Sequence, residues 1–434
     1  MKNISKKIDR NCRVCCSESV EEVFELKPTP PGDLFLPKDK LHMSSDKYPL
    51  TLAICRDCGY LHLPFVLDPE ISYGNYVYET KITVGLSKHY LEYAQEVITF
   101  GGITPASFVV DLGSNDGTML KAFQDCKMKV LGVEPSDISE FASQNKLETI
   151  NEYFSNDVAD SIIEKYGNAL VVTANYMYAN IDNVIEFTKS VKRLLDDEGL
   201  FVIQTGYHPD QMKINMFDYI YHEHFSYFTV KVLRQLLLSC GLEIIHVTGH
   251  APKGGSIRAI IQHIGGKRNV DESVEFFIKK EEVAGFHDAK TYMRFEMDIN
   301  SFKDKLTDLI KQIHLDGHKI VGYGASHSTT TLLHHFELGG YLEFLVDDNP
   351  AKHGLYSPGY GLPVYSSARL SESKPEYVLI LGWQHQDSII KRNNKFLEEG
   401  GKFIIPLPEL KVLGNSIKAV QSFNKQYGHS FAIL

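Results

Sequence analysis

No apolar run approaches the ~18–20 residues needed to span a bilayer, so no membrane-spanning helix is expected. The basic start, Met1-Lys-Asn-Ile-Ser-Lys-Lys7, leads into Asp9, Arg10 and Cys12 without an apolar h-region, so no signal peptide is expected. Positive charge is in deficit. The chain has 45 Lys and Arg against 55 Asp and Glu, a net charge of −10. That balance argues against wrapping nucleic acid, and no nucleic-acid or membrane partner is expected. Cysteine is sparse and odd in number, seven in 434 residues. A disulfide framework is therefore not expected, and a reducing, cytoplasmic setting fits better.

What remains is ordinary for globular protein: 43 % hydrophobic and 23 % charged residues. At about 150 residues per domain, the length predicts roughly three domains.

Five cysteines, Cys12, Cys15, Cys16, Cys55 and Cys58, crowd the N-terminal segment. They form two Cys-x-x-Cys pairs flanking a Pro-rich stretch, Lys27-Pro-Thr-Pro-Pro-Gly-Asp33. A segment with so little apolar material needs a staple, and four thiolates in a tetrahedron satisfy zinc. Cys12, Cys15, Cys55 and Cys58 are the expected ligands. Four thiolates leave no open position, so the zinc is expected to be structural. Gly59 suits the turn after Cys58. Cys16 stands where the first knuckle would want glycine, which leaves Cys15 and Cys16 as alternatives.

A Tyr-rich piece, Ile71-Ser-Tyr-Gly-Asn-Tyr-Val-Tyr78, precedes a helical pattern at Leu86, His89, Tyr90, Tyr93, Ala94 and Val97. Apolar strands are then predicted at residues 108–112, 130–133, 169–173, 200–204, 242–247 and 256–262. Helix-length segments separate most of them, which predicts a mostly parallel sheet covered on both faces. Residues 265–312 read as a charged helical bridge. The alternation restarts at 319–323, 342–346, 377–381 and 402–406. The domain reading is 1–65, 66–100, 101–264, 265–312 and 313–434.

Val110-Asp-Leu-Gly-Ser-Asn-Asp-Gly-Thr118 follows a strand and opens a helix. Gly113 and Gly117 permit a sharp turn and close approach to a ligand. Glu134 ends the next strand, where a carboxylate accepts from ribose hydroxyls. A pyrophosphate would be repelled by Asp111 and Asp116, whereas a cationic sulfonium nucleoside would not. The pattern therefore favours S-adenosylmethionine (SAM) over NAD.

Asp218-Tyr-Ile-Tyr-His-Glu-His-Phe-Ser-Tyr-Phe228 packs an acid, two imidazoles and several phenols together. It lacks the helical spacing of a zinc protease. Three readings stand: an aromatic loop, a metal site with His222 and His224 on one strand face, and general base chemistry with an orienting carboxylate.

These motifs, with Gly254-Gly-Ser-Ile-Arg258, resemble those of the sugar C-methyltransferases, which methylate carbon 3 of nucleotide-linked 4-keto-deoxysugars. The resemblance covers nearly the whole chain. It implies an α/β fold: a class I SAM-methyltransferase Rossmann-like domain, a small N-terminal zinc-binding module and a second, C-terminal Rossmann-like domain. It implies His224 as base, with Glu223, Tyr221 and Tyr76 or Tyr78 beside it. Asp111, Gly113, Asn115, Gly117, Glu134 and Asn175 would hold SAM, and Lys253, Ser256, Arg258 and Tyr323 the nucleotide sugar. A monomer or homodimer is expected. O-methylation of a sugar hydroxyl is the alternative reaction.

Three departures stand out. Asn175-Tyr-Met-Tyr-Ala-Asn180 ends in Asn where the family has His. Gly322-Tyr-Gly-Ala-Ser-His327 lacks the family's lysine, and Lys253 stands where His is common.

Overall fold

The computed structural model describes residues 7–8, 11–44, 46–67 and 85–414, so Tyr76 and Tyr78 lie outside the described residues. The chain divides into two compact units. The first comprises Met1–Glu22, Ala53–Gln211 and Glu223–Thr291; the second comprises Val23–Leu52, Met212–His222 and Tyr292–Leu434. No helix among the described residues is long and apolar enough to cross a membrane.

A seven-stranded sheet organises the first unit. Its strands are β1 (Phe108–Leu112), β2 (Lys129–Val133), β3 (Thr149–Ile150), β4 (Ala169–Asn175), β5 (Leu195–Gly206), β6 (Leu242–His250) and β7 (Ser256–His263). Their spatial order is β6-β7-β5-β4-β1-β2-β3. The pairs from β5 through β3 are parallel. Val109, Val110 and Leu112 are fully buried, because a parallel sheet is covered on both faces. β6 and β7 are joined only by residues 251–255, too few for a parallel crossover, so β7 runs antiparallel to both β6 and β5. The two-residue β3 carries too weak an apolar pattern to show in the sequence.

The expected linker helix is α1 (Leu86–Gly101), and it is packed into this unit. Leu86, Tyr90, Tyr93, Ala94 and Val97 recur at three- and four-residue spacings and join one core with Val109, Phe123, Val171 and Val202. Each large side chain so buried contributes about 1.5–3 kcal/mol. α2 (Thr118–Asp125) follows the loop after β1.

The region read as one helical bridge is two helices, α3 (Glu272–Val283) and α4 (Ala289–Leu315). Gly285, at φ 73°, stands between them. α3 buries Val274, Phe277 and Ile278 within the first unit.

The second unit holds β8 (Ile320–Tyr323), β9 (Leu345–Asp347), β10 (Val364–Ser366), β11 (Tyr377–Ile380), β12 (Lys402–Ile405) and β13 (Lys411–Gly414). Their order is β10-β9-β8-β11-β12-β13, parallel except for the β12/β13 pair. α5 (His327–His335) follows β8. The four strands read from the sequence are present, with β10 and β13 in addition.

Candidate active site and metal centre

The four cysteine sulfurs come together. One ligand atom from each of Cys12, Cys15, Cys55 and Cys58 lies within 4.8 Å of the others. Cys12 Sγ is 3.6 Å from Cys58 Sγ, and Cys15 Sγ is 3.6 Å from Cys55 Sγ. With Zn–S bonds of about 2.3 Å, a tetrahedron sets its sulfurs ~3.8 Å apart, so these separations fit zinc and are far too long for disulfides.

Both knuckles close alike. Cys16 N–H donates to Cys12 O, and Gly59 N–H donates to Cys55 O, each at 2.8 Å. Both donors are left-handed, at φ 60° and 77°. Cys16 is thus the positional counterpart of Gly59; it is exposed, and Cys15 is the ligand. A Cβ at Gly59 would lie 2.7 Å from His287 Cδ2, so glycine is needed there. The bond from Cys58 pushes Cys12 down to about 5, while the bond to Cys12 and then burial push Cys58 up.

A second site opens at the carboxyl ends of β1, β2 and β4, where the strand order reverses and α/β sheets bind ligands. A cavity of about 300 Å³ is lined there by Asp111, Gly113, Ser114, Asn115, Glu134, Asn175, Tyr176, Asn180, Asp182 and Lys253, among others. Three left-handed residues shape the loop after β1: Gly113 (φ 70°), Asn115 (φ 50°) and Gly117 (φ 82°). A Cβ on Gly113 would meet Met177 Cγ at 2.8 Å, and one on Gly117 would meet Leu147 Cδ1 at 2.7 Å. Gly117 caps α2 and does not line the cavity. Asp116 accepts from Thr118 N and Oγ1, so its carboxylate serves the start of that helix.

Glu134 is held in place by its neighbours. Oε2 accepts from Asn115 N at 3.0 Å, and Oε1 accepts from Ser136 N (3.0 Å) and Ser136 Oγ (2.6 Å). A carboxylate has about four acceptor sites, so a diol would take the remaining one and displace the Ser136 hydroxyl from another. Asn151, which no sequence signal marked, donates to Glu134 O and Ser136 O at 3.0 Å and pins this turn.

Asp111 accepts from Thr173 Oγ1 (2.6 Å) and Asn175 Nδ2 (3.2 Å). Burial pushes its carboxyl up to about 7, against those two bonds, and the Glu134 charge adds to the rise. Ser114 lines the cavity, and its Oγ is buried with no hydrogen-bond partner. Three carboxylates against one ammonium fit a cationic nucleoside such as SAM, and Asp111, Asn115, Glu134 and Asn175 would hold it.

The Tyr221–Tyr227 motif falls across both units. His224 and Glu223 belong to the first, Tyr221 and His222 to the second. His222 and Glu223 form a turn, and the strand there is only Ser226–Tyr227, so His222 and His224 do not share a strand face as expected. His222 is buried, donates from Nε2 to Pro49 O at 3.2 Å and meets the Tyr48 ring edge-on. Among the described residues the four cysteines are the one metal-type cluster, which removes the His-Glu-His metal reading.

Glu223 is buried, and the His224 ring centroid lies 4.6 Å from that of Tyr227. Burial, then the Lys253 charge, lowers His224 to about 3. His224 itself does not line the cavity; Phe225 and Lys253 do.

Ser256 and Arg258 are buried. Ser256 Oγ donates to Pro252 O (2.7 Å), and Arg258 is clamped by Glu96 and Gln204 over the Tyr93 ring. Neither lines the cavity. In the second unit, Tyr323 donates to Asp348 Oδ1 at 2.9 Å, and the Tyr221 ring lies 5.1 Å from that of His327. Asp347 accepts from Ala325 N and Asn349 N, so one of its oxygens braces the loop after β8 and the other the loop after β9.

The sheet, its switch-point cavity and the acid-lined glycine loop define a SAM-dependent methyltransferase of the class I Rossmann-like type carrying a structural zinc module. Comparison with known proteins agrees. Residues 12–73 match the family described as a zinc binding domain, 87–247 that described as a methyltransferase domain, and 251–408 that described as a C-methyltransferase C-terminal domain. The C-methyltransferase NovU of Streptomyces niveus is 30 % identical over 415 residues, 95 % of this chain and 99 % of that protein. The chain belongs to this C-methyltransferase family.

Solved structures that align with it include a SAM-dependent methyltransferase from Clostridium acetobutylicum, with 10 % identity, 41 % of this chain, 92 % of that chain and a TM-score of 0.32. Another is magnesium protoporphyrin IX methyltransferase from Synechocystis with bound SAM, with 12 % identity, 41 % of this chain, 79 % of that chain and a TM-score of 0.32.

Proposed function

We propose that this C-methyltransferase methylates carbon 3 of a nucleotide-linked 4-keto-deoxysugar through an enolate. The observation that carries the reading is the placement of His224, whose sequence neighbour Phe225 and electrostatic partner Lys253 line the donor cavity. O-methylation of a hydroxyl would use the same donor and base; what a carbon beside a ketone needs in addition is stabilisation of the enolate. His224 takes the proton from carbon 3, and the bonding pair moves toward the keto oxygen. Glu223 orients the imidazole, and Tyr221 with Tyr76 or Tyr78 donates to the sugar. Asp111, Asn115, Glu134 and Asn175 align the donor, whose sulfonium supplies an electrophilic methyl group. Alignment of two bound reactants supplies much of such a rate.

The test is a panel of nucleotide 4-keto-deoxysugars and their 4-hydroxy counterparts, assayed with SAM by mass spectrometry. Keto sugars should gain one methyl group on carbon and exchange the carbon 3 proton with deuterated solvent. Methylation of the 4-hydroxy sugars alone would replace the reading with O-methylation.

A further inference from the structure

Lys253 is the one cationic side chain among the described residues that line the donor cavity, alongside Asp111, Glu134 and Asp182. A fixed ammonium in that site repels the donor's sulfonium. It is favourable toward negative charge, such as the charge an enolate places on its oxygen. We propose that Lys253 is a catalytic residue that holds the keto oxygen as the enolate forms, and that Tyr176, Gln204 and Ser256 fix where its ammonium stands. This rests on the reading of the substrate given above.

The support beneath Lys253 is built for position. Its Nζ lies 4.3 Å from the centroid of the Tyr176 ring. Tyr176 is an aromatic residue at φ 55°, a costly conformation held by Tyr176 N–H donating to Gln204 O at 2.7 Å. Gln204 Nε2 donates to Tyr176 Oη at 2.9 Å, and Gln204 Oε1 accepts from Arg258 Nε at 3.0 Å, which fixes the amide's orientation. Ser256 Oγ gives its proton to Pro252 O (2.7 Å), so it accepts from Tyr176 Oη at 3.1 Å. The phenol is thereby committed to this network, and what it offers the cavity is its ring face. Lys253 itself is left-handed at φ 57°, and its carbonyl accepts from Gln211 Nε2 at 3.0 Å. The ammonium also acts on His224, disfavouring the imidazolium.

The step balances within these groups. The carbon 3–hydrogen bond breaks and its proton goes to His224. The electron pair is delocalised to the keto oxygen, which Lys253 meets with an N–H donor. That negative charge lies near both the ammonium and the new imidazolium and offsets their repulsion. The carbon 3 pair then attacks the methyl carbon, the carbon–sulfur pair leaves on sulfur, and the ketone reforms.

Lys253→Met and Lys253→Arg test this with a keto sugar that the unaltered protein methylates. Deuterium exchange at carbon 3 is followed in S-adenosylhomocysteine, and SAM affinity by calorimetry. Lys253→Met should slow exchange and kcat by about 10²–10³-fold, the usual loss for an oxyanion donor, with SAM affinity unchanged or tighter. Lys253→Arg should recover part of the exchange. Wild-type exchange in Lys253→Met overturns the proposal, as does loss of SAM affinity matching the loss of rate, which would mark a structural role. If the unaltered protein exchanges and methylates no keto sugar, the substrate reading itself falls, a result distinct from either.

Discussion

Arg13, between zinc ligands Cys12 and Cys15, sets its Nε 3.1 Å from Asp182 Oδ1, and Asp182 lines the donor cavity. Its Nη2 donates to Leu63 O at 2.8 Å, and its guanidinium lies 5.7 Å from the centroid of the Phe225 ring, also in the cavity wall. Leu63 N–H in turn donates to Phe225 O at 2.9 Å, one residue after His224. The zinc knuckle therefore braces the cavity wall beside His224. Arg13→Gln should keep one zinc per chain, lower stability by about 1–2 kcal/mol and weaken SAM binding. Unchanged SAM affinity by calorimetry would separate the knuckle from the cavity.

The first knuckle makes opposite forecasts for its adjacent cysteines. Cys15→Ser should lose zinc, since Cys15 Sγ is one of the four clustered sulfurs. Cys16→Gly should keep it, because that position is exposed and left-handed like Gly59. Metal analysis of the purified variants decides, and zinc retained in Cys15→Ser but lost in Cys16→Gly would reverse the ligand assignment.

Glu134 both receives the donor's ribose, by this reading, and holds Asn115 N and Ser136 in place. Glu134→Ala should therefore weaken SAM binding by about 1–3 kcal/mol, the range for a charged acceptor. Calorimetry showing no change would take Glu134 out of the site.

Asp111 makes donor binding depend on pH. Without donor, burial holds its carboxyl at about 7. The unfolded chain releases that proton near pH 4, so this residue's contribution to stability falls as pH rises from about 4 toward 7. A bound cation favours the carboxylate, so SAM affinity should rise across the same limb, by at most tenfold per pH unit, and level off above about pH 7. Asp111→Asn should flatten both profiles. A wild-type affinity independent of pH between 5 and 8 would assign the titration elsewhere.

Much of this was legible in local sequence. The Val- and Leu-rich runs named the strands from β1 through β12, apart from the short β3 and β10, and paired spacing named four zinc ligands. The strands Val20–Thr29 and Tyr48–Cys55, near the cysteines, went unread. What else failed to show was long-range or brief. The Arg13–Asp182 pair and the Arg258–Gln204–Tyr176 chain join residues far apart in sequence, where periodicity carries no information. Asn151 looks like any loop asparagine until it is seen donating to Glu134 O. The alternation at His222 and His224 misled because the strand starts only at Ser226 and the preceding turn breaks the two-residue period. Arg258, expected at the nucleotide sugar from the family resemblance, is held by Glu96 and Gln204, partners far from it in sequence.

His224 and His222 offer the sharpest contrast. Both are lowered by burial, to about 3 and about 4, so both stay neutral at physiological pH. Each contributes stability that is lost as pH falls below the unfolded value near 6.5, because the unfolded chain binds a proton the folded chain refuses. Their surroundings differ. His222 donates Nε2 to Pro49 O, which commits one ring nitrogen to structure. His224 stands one residue from Phe225 in the cavity wall and feels the charge of Lys253. His224→Asn should keep zinc and SAM affinity while kcat falls by about 10²–10⁴-fold, the range for a positioned acid–base group. Deuterium exchange at carbon 3 should fall with it. His222→Asn should lower the melting temperature and leave exchange per folded molecule near wild type. Exchange intact in His224→Asn would move the base elsewhere and leave His224 aligning the sugar. Exchange lost in His222→Asn but kept in His224→Asn would shift the assignment by two residues. Asn180 lines the cavity where the family has histidine, so no imidazole at that position stands ready to take over the proton.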